Sequence, residues 1–143
     1  MDPVRILLVE DFVPDIKLTQ RAFRNARITN EMVVARDGVE ATEYLKSAAL
    51  LPDLILLDLN MPRKDGWEVL AEMRASKVWC QIPTIVMTTS DAGPDVDRAY
   101  ALGANAYITK PFGFAGFVAA ALRIEDFWFR LVKLPTTASP RAL

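Results

Sequence analysis

The 143-residue chain contains no histidine. That absence excludes imidazole metal ligands, Ser–His and Cys–His nucleophile pairs, and imidazole general bases. A single cysteine, Cys80, excludes an internal disulfide and suits a reducing compartment. It is expected to be an inert, partly buried small side chain. No apolar run approaches the roughly 18 residues of a membrane span, and Ile6 to Val9 is too short for a signal-peptide core. A cytoplasmic location is therefore expected. An excess of one charge is lacking too: 17 Lys+Arg face 18 Asp+Glu, a net charge of −1. Without clustered basic charge, neither nucleic acid nor a membrane surface is an expected partner. Chemistry near neutral pH is left to carboxylates, hydroxyls, lysine or a hard cation.

What is present suffices for a core. Hydrophobic residues make up 52% and charged residues 24%, the balance of one globular domain. Residues 1–134 are expected to form that domain, and 135–143, rich in Pro, Ser and Thr, a disordered tail. Short apolar runs alternate with amphipathic stretches. The runs Val4–Val9, Met32–Ala35, Leu54–Leu57, Thr84–Met87 and Ala106–Ile108 have the continuous hydrophobicity of strands buried on both faces. Between and after them, helices are predicted over about Pro14–Ala26, Val39–Ala48, Trp67–Ser76, Asp95–Leu102 and Phe114–Val132. Pro14, Asp37-Gly38 and Asp65-Gly66 mark starts, and Gly103 marks an end. Five strands alternating with five helices specify an α/β fold, a doubly wound parallel sheet covered on both faces.

In such sheets ligands gather beyond the carboxyl ends of the strands. The residues closing the runs are Glu10-Asp11, Asp58, Thr88-Thr89-Ser90 and Lys110-Pro111. If the first and third strands are neighbours, three carboxylates share one crevice. Their repulsion amounts to several kcal/mol per pair even at an effective dielectric of about 20. Lys110 supplies one compensating charge, and a divalent hard cation such as Mg²⁺ would supply two. Carboxylates, a cation, an ammonium and a hydroxyl together suit a phosphoryl group.

Together, Glu10-Asp11, Asp58 within Leu56-Leu57-Asp58-Leu59-Asn60-Met61-Pro62, Asp65-Gly66, Thr88 and Tyr107-Ile108-Thr109-Lys110-Pro111-Phe112 resemble the receiver domain of two-component response regulators. The resemblance spans about residues 4–130. The 30 residues from Asp58 to Thr88 and the 52 from Asp58 to Lys110 match the family's spacing. The stretch Ile124–Phe129 through Pro135 is further similar to single-domain regulators serving phytochrome-type histidine kinases. The resemblance implies a flavodoxin-like (βα)5 sheet in strand order 2-1-3-4-5, with an extended C-terminal helix. It implies that Asp58 accepts a phosphoryl group from a phosphohistidine. Mg²⁺ would be held by Asp11, Asp58 and the backbone carbonyl of Asn60, and by Glu10 through the metal's water shell. Lys110 would contact the phosphoryl oxygens, Thr88 would follow them, and Tyr107 would swing inward as Thr88 moves. A cis Lys110–Pro111 bond is implied as well. The protein would then be a phosphoacceptor signalling protein and not an enzyme, apart from slow autodephosphorylation. Thr89 is bulkier than the family's usual Ala or Gly, and Phe12-Val13-Pro14 replaces its usual Asn and small residues; both bear on rates.

An aspartyl phosphatase is the competing enzyme class. It would want an acid two residues beyond Asp58, where Asn60 stands. A phosphorylation-independent interaction module is a third possibility. The absence of histidine means that any phosphohistidine donor must act in trans, and a sensor histidine kinase is the expected partner. On the last helix, at about 100° per residue, Arg123, Asp126, Arg130 and Lys133 share one polar arc. The remaining apolar arc is roughly twice the ~100° stripe that a core requires. A homodimer packed through Ile124, Phe127, Trp128 and Leu131 is the expectation.

Overall fold

Each apolar run becomes a strand: β1 Val4–Val9, β2 Asn30–Ala35, β3 Leu54–Leu57, β4 Thr84–Thr88 and β5 Ala106–Thr109. The computed structural model describes residues 3–131, and of Leu131 only the backbone. All strand pairs are parallel, in the order β2-β1-β3-β4-β5. This is the flavodoxin-like order that the resemblance implies.

The helices are α1 Val13–Arg24, α2 Gly38–Ser47, α3 Gly66–Ala75, α4 Gly93–Ala101 and α5 Gly113–Ile124. They divide between the two faces of the sheet. Ile6, Leu8, Leu54, Leu56, Ile85 and Met87 pack with Ile16, Ala22 and Phe23 of α1 and Phe117, Ala121 and Ile124 of α5. The alternate strand residues Leu7, Val9, Ile55, Leu57 and Val86 pack with α2, α3 and Ala99 of α4. That is why the central strands read as unbroken apolar runs. Every residue of β3 is fully buried, each contributing about 1.5–3 kcal/mol of hydrophobic stabilisation.

The edges differ. β2 alternates half-buried and exposed residues before ending in buried Ala35, and Val33 is 39% exposed. Met32–Ala35, expected to be buried on both faces, is thus covered mainly on one, because an outer strand lacks a neighbour beyond it. β5 is likewise no more than half-buried.

Local chemistry sets the helix starts. Asp37 caps α2 by accepting from Glu40 N at 2.8 Å. Asp65 and Glu68 form a reciprocal capping box on α3. Pro14 lies in the first turn of α1, where its missing N–H costs nothing.

Four expectations need correction or bounding. The last helix is α-helical only to Ile124; Glu125–Leu131 continue it with π-helical hydrogen bonding. Among the described residues there is no cis peptide bond, so Lys110–Pro111 is trans, the isomer intrinsically favoured by about 0.5–1 kcal/mol. Cys80 is exposed, because it sits on a short 3₁₀ turn, Trp79–Gln81, outside the core. The tail 135–143 and the domain end at 134 lie outside the described residues. No helix among the described residues is long and apolar enough to cross a membrane.

Candidate functional site

Sheet register brings the run-closing residues to one edge. Val9 aligns with Ala35 and with Leu57, Leu57 with Val86, and Thr88 with Thr109. Backbone pairing continues one step further into the site. Glu10 N donates to Ala35 O at 3.0 Å, Asp58 N to Val9 O at 2.9 Å, and Lys110 N to Thr88 O at 2.7 Å. The functional side chains therefore project from a hydrogen-bonded ladder and not from loose loops.

Glu10, Asp11 and Asp58 converge, with one carboxylate oxygen from each lying within 4.8 Å of the others. Glu10 and Asp58 are buried and Asp11 is half-buried. Lys110 Nζ lies 2.6 Å from Glu10 Oε1, 2.9 Å from Asp15 Oδ2 and 3.5 Å from Asp58 Oδ2. Thr88 is fully buried and its Oγ1 has no hydrogen-bond partner. Such orphaned groups are rare in folded proteins and ask for a ligand or water. Asn60 is exposed, and its N–H makes only a 3.5 Å approach to Asp58 Oδ1.

Gly66, the first residue of α3, lets that helix start close against the backbone of Asp58 and Leu59. A Cβ there would stand 2.2 Å from Asp58 O and 2.7 Å from Leu59 Cα. Only glycine lets the helix start approach so closely, and Gly66 N donates to Leu59 O at 3.0 Å.

Electrostatics follow from four carboxylates, Glu10, Asp11, Asp15 and Asp58, around one ammonium. Burial pushes Glu10 up to about 7; Lys110 opposes this, and the charge of Asp58 adds to it. Burial alone would lower Lys110. Its hydrogen bonds to Glu10 and Asp15 and the charge of Asp58 outweigh that and hold it above the usual lysine range. The pocket is thus short of positive charge. Its donors are all oxygens, which fits a hard divalent cation such as Mg²⁺ or Mn²⁺ and not a thiophilic one. The orphaned Thr88 hydroxyl fits a further oxygen-rich group beside it.

Glu10, Asp11, Asp58, Thr88 and Lys110 are all brought together at this edge, as expected from sequence. Tyr107 stands apart on β5, half-buried, with its hydroxyl donating to Ser90 O at 2.7 Å. Asp15 is the site residue that sequence reasoning missed. The expected dimer residues separate. Ile124 is 2% exposed and packs into its own domain's core, while also lining the groove beside Phe127. Trp128 is half-buried against the same core, and Phe127 is 49% exposed. The side chain of Leu131 lies outside the described residues. Ile108, Pro111, Gly116, Ala120, Phe127 and Trp128 line an open groove of about 430 Å³.

Fold and site together define a doubly wound α/β domain with an acidic, lysine-bearing pocket at the carboxyl ends of its strands. The chain belongs to the response regulator receiver domain family, whose model matches residues 6–122. It is 40% identical over 138 residues to the response regulator Rcp1 of Synechocystis sp., covering 93% of this chain and 94% of Rcp1. The crystal structure of the phosphorylated cyanobacterial phytochrome response regulator RcpA superimposes with a TM-score of 0.89 at 41% identity, over 94% of this chain and all of RcpA. The Mn²⁺-bound form of Rcp1 does so with 0.87 at 40% identity, over 94% and 100% of the two chains. The protein is a two-component response regulator receiver domain with the phosphoacceptor role of that family.

Proposed function

We propose that Asp58 is the phosphoacceptor and that a sensor histidine kinase of the phytochrome type is the donor. The observation that carries this reading is the convergence of Glu10, Asp11, Asp58 and Lys110 beside the unpartnered, buried Thr88 Oγ1. An Asp58 carboxylate oxygen attacks phosphorus, forming an O–P bond as the N–P bond of the phosphohistidine breaks. The departing imidazole keeps the electron pair and takes a proton from solvent. Asp11, Asp58 and the Asn60 carbonyl would hold Mg²⁺ directly, and Glu10 would hold it through water. When bound, the cation neutralises the carboxylates and the charge on the phosphoryl oxygens. Lys110 then contacts a phosphoryl oxygen and Thr88 donates its free hydroxyl to another. The added charge biases the β4–α4 loop, where Tyr107 is tied to Ser90.

Similarity over nearly the whole of Rcp1 and RcpA supports the phytochrome-type donor. The exposed Phe127 and the groove beside it support a homodimer, and the match to the receiver domain family supports a cytoplasmic location. Incubation with acetyl phosphate and Mg²⁺, followed by intact-protein mass spectrometry, is the test. One phosphoryl group should appear, should need the cation, and should vanish in Asp58→Asn. An adduct that persists in that variant overturns the assignment.

A further inference from the structure

Lys110 has three N–H donors, and two carboxylates stand at hydrogen-bonding distance from its ammonium. Glu10 and Asp15 take it at hydrogen-bonding distance, 2.6 and 2.9 Å, whereas Asp58 stands 3.5 Å away. Asp15 is not one of the three clustered carboxylates that could hold a metal. It comes from the first turn of α1, and its side chain is only 17% exposed. Lys110 is 9% exposed at its side chain, so this pairing is shielded from solvent. The ammonium is therefore drawn toward α1 and away from the residue that takes the phosphoryl group.

We infer that Asp15 is a positioning residue: it anchors Lys110 while Asp58 is unmodified, and it competes with the phosphoryl oxygens for the same ammonium. The inference rests on the proposed phosphoacceptor role of Asp58. A phosphoryl group on Asp58 offers oxygens and about two negative charges, which compete for an ammonium that sits 2.9 Å from Asp15 and 3.5 Å from Asp58. A carboxylate at this position also repels the incoming anion. Both effects have the same sign. Asp15 holds the switch in its unmodified state, so removing its charge favours the anion-loaded state.

The discriminating probe is fluoroberyllate, a phosphoryl mimic, titrated in saturating Mg²⁺ and followed by tryptophan fluorescence. Asp15→Asn, which keeps the shape and loses the charge, should bind it about tenfold more tightly than wild type, the scale of one charge-assisted hydrogen bond. Asp15→Glu should restore wild-type affinity. A merely structural role for Asp15 would weaken binding in Asp15→Asn, and thermal melts of each variant confirm that it is folded. Unchanged or weaker binding by folded Asp15→Asn overturns the inference. If wild type gives no response, or Asp58→Asn binds as well as wild type, it is the phosphoacceptor assignment that fails instead.

Discussion

Glu10 carries the clearest single-residue consequence. Its carboxyl, ordinarily near 4.5, is pushed up to about 7 by burial, with Lys110 opposing and Asp58 adding to the rise. Between those values the folded protein holds more protons than the unfolded chain. Stability from this group is therefore full below about pH 4.5 and is lost as pH rises toward 7. In EDTA, urea melts should show wild type losing stability across that window, and Glu10→Gln should flatten the loss. A wild-type profile without that decline contradicts the assignment. A divalent cation works the other way, since it favours the charged carboxylate. At this scale the sequence was informative wherever a residue closes an apolar run. Glu10, Asp58 and Lys110 could be placed because a parallel sheet delivers its strand ends to one edge. Asp15 could not, because an acid in a first helical turn already has a local explanation in the helix dipole. Its bond to Lys110 depends on the reach of a long side chain, which no spacing reveals. Cys80 was misjudged because apolar character does not report which side of a short turn a residue faces.

Between residues and fold, two elements hold the site in shape and one ties down the end of the last described helix. At the start of α3, Gly66→Ala would drive a Cβ into the Asp58 carbonyl and the Leu59 backbone, neither of which can yield cheaply. It should cost about 1–3 kcal/mol in denaturant melts and impair phosphorylation; a neutral result on both would contradict the cradle. Asp37 is held below the usual carboxylate range by the Glu40 N–H and by Arg63, against the opposing effect of burial. It joins the α2 cap to the β3–α3 loop, where Arg63 takes a positive φ of 62°. Asp37→Ala should cost about 0.5–2 kcal/mol. That contribution is present above the ordinary aspartate range and fades as pH falls through the lowered value. Glu125 is the element-level surprise. On a helical wheel it is a charge within the apolar arc, where a carboxylate without partners would be costly to bury. Yet it is fully buried, accepts from Ile28 N at 2.8 Å and lies 3.7 Å from Arg27 Nε. Its partners come from the segment between α1 and β2, which spacing along the last helix does not reveal. Glu125→Ala leaves the Ile28 N–H without its acceptor and should cost about 1–3 kcal/mol.

For the whole molecule, alternation of apolar runs with amphipathic stretches was enough to specify the doubly wound class. The order β2-β1-β3-β4-β5 came from resemblance, since periodicity alone does not choose among right-handed crossover topologies. The surface was harder to infer. Much of the apolar arc on the last helix turns inward, as Ile124 and Trp128 do, which leaves Phe127 as the described residue of that arc that is most exposed. If the homodimer uses this face, Phe127→Asp should give a monomer in sedimentation at micromolar concentration while wild type sediments as a dimer. A monomeric wild type would remove the dimer from the account. The measurement closest to the central claim is the mass of the intact protein after acetyl phosphate treatment with and without Mg²⁺. A single phosphoryl adduct that requires both the cation and Asp58, and that falls sharply in Lys110→Ala, is the predicted result. An adduct formed equally well in EDTA, or retained in Asp58→Asn, would contradict it.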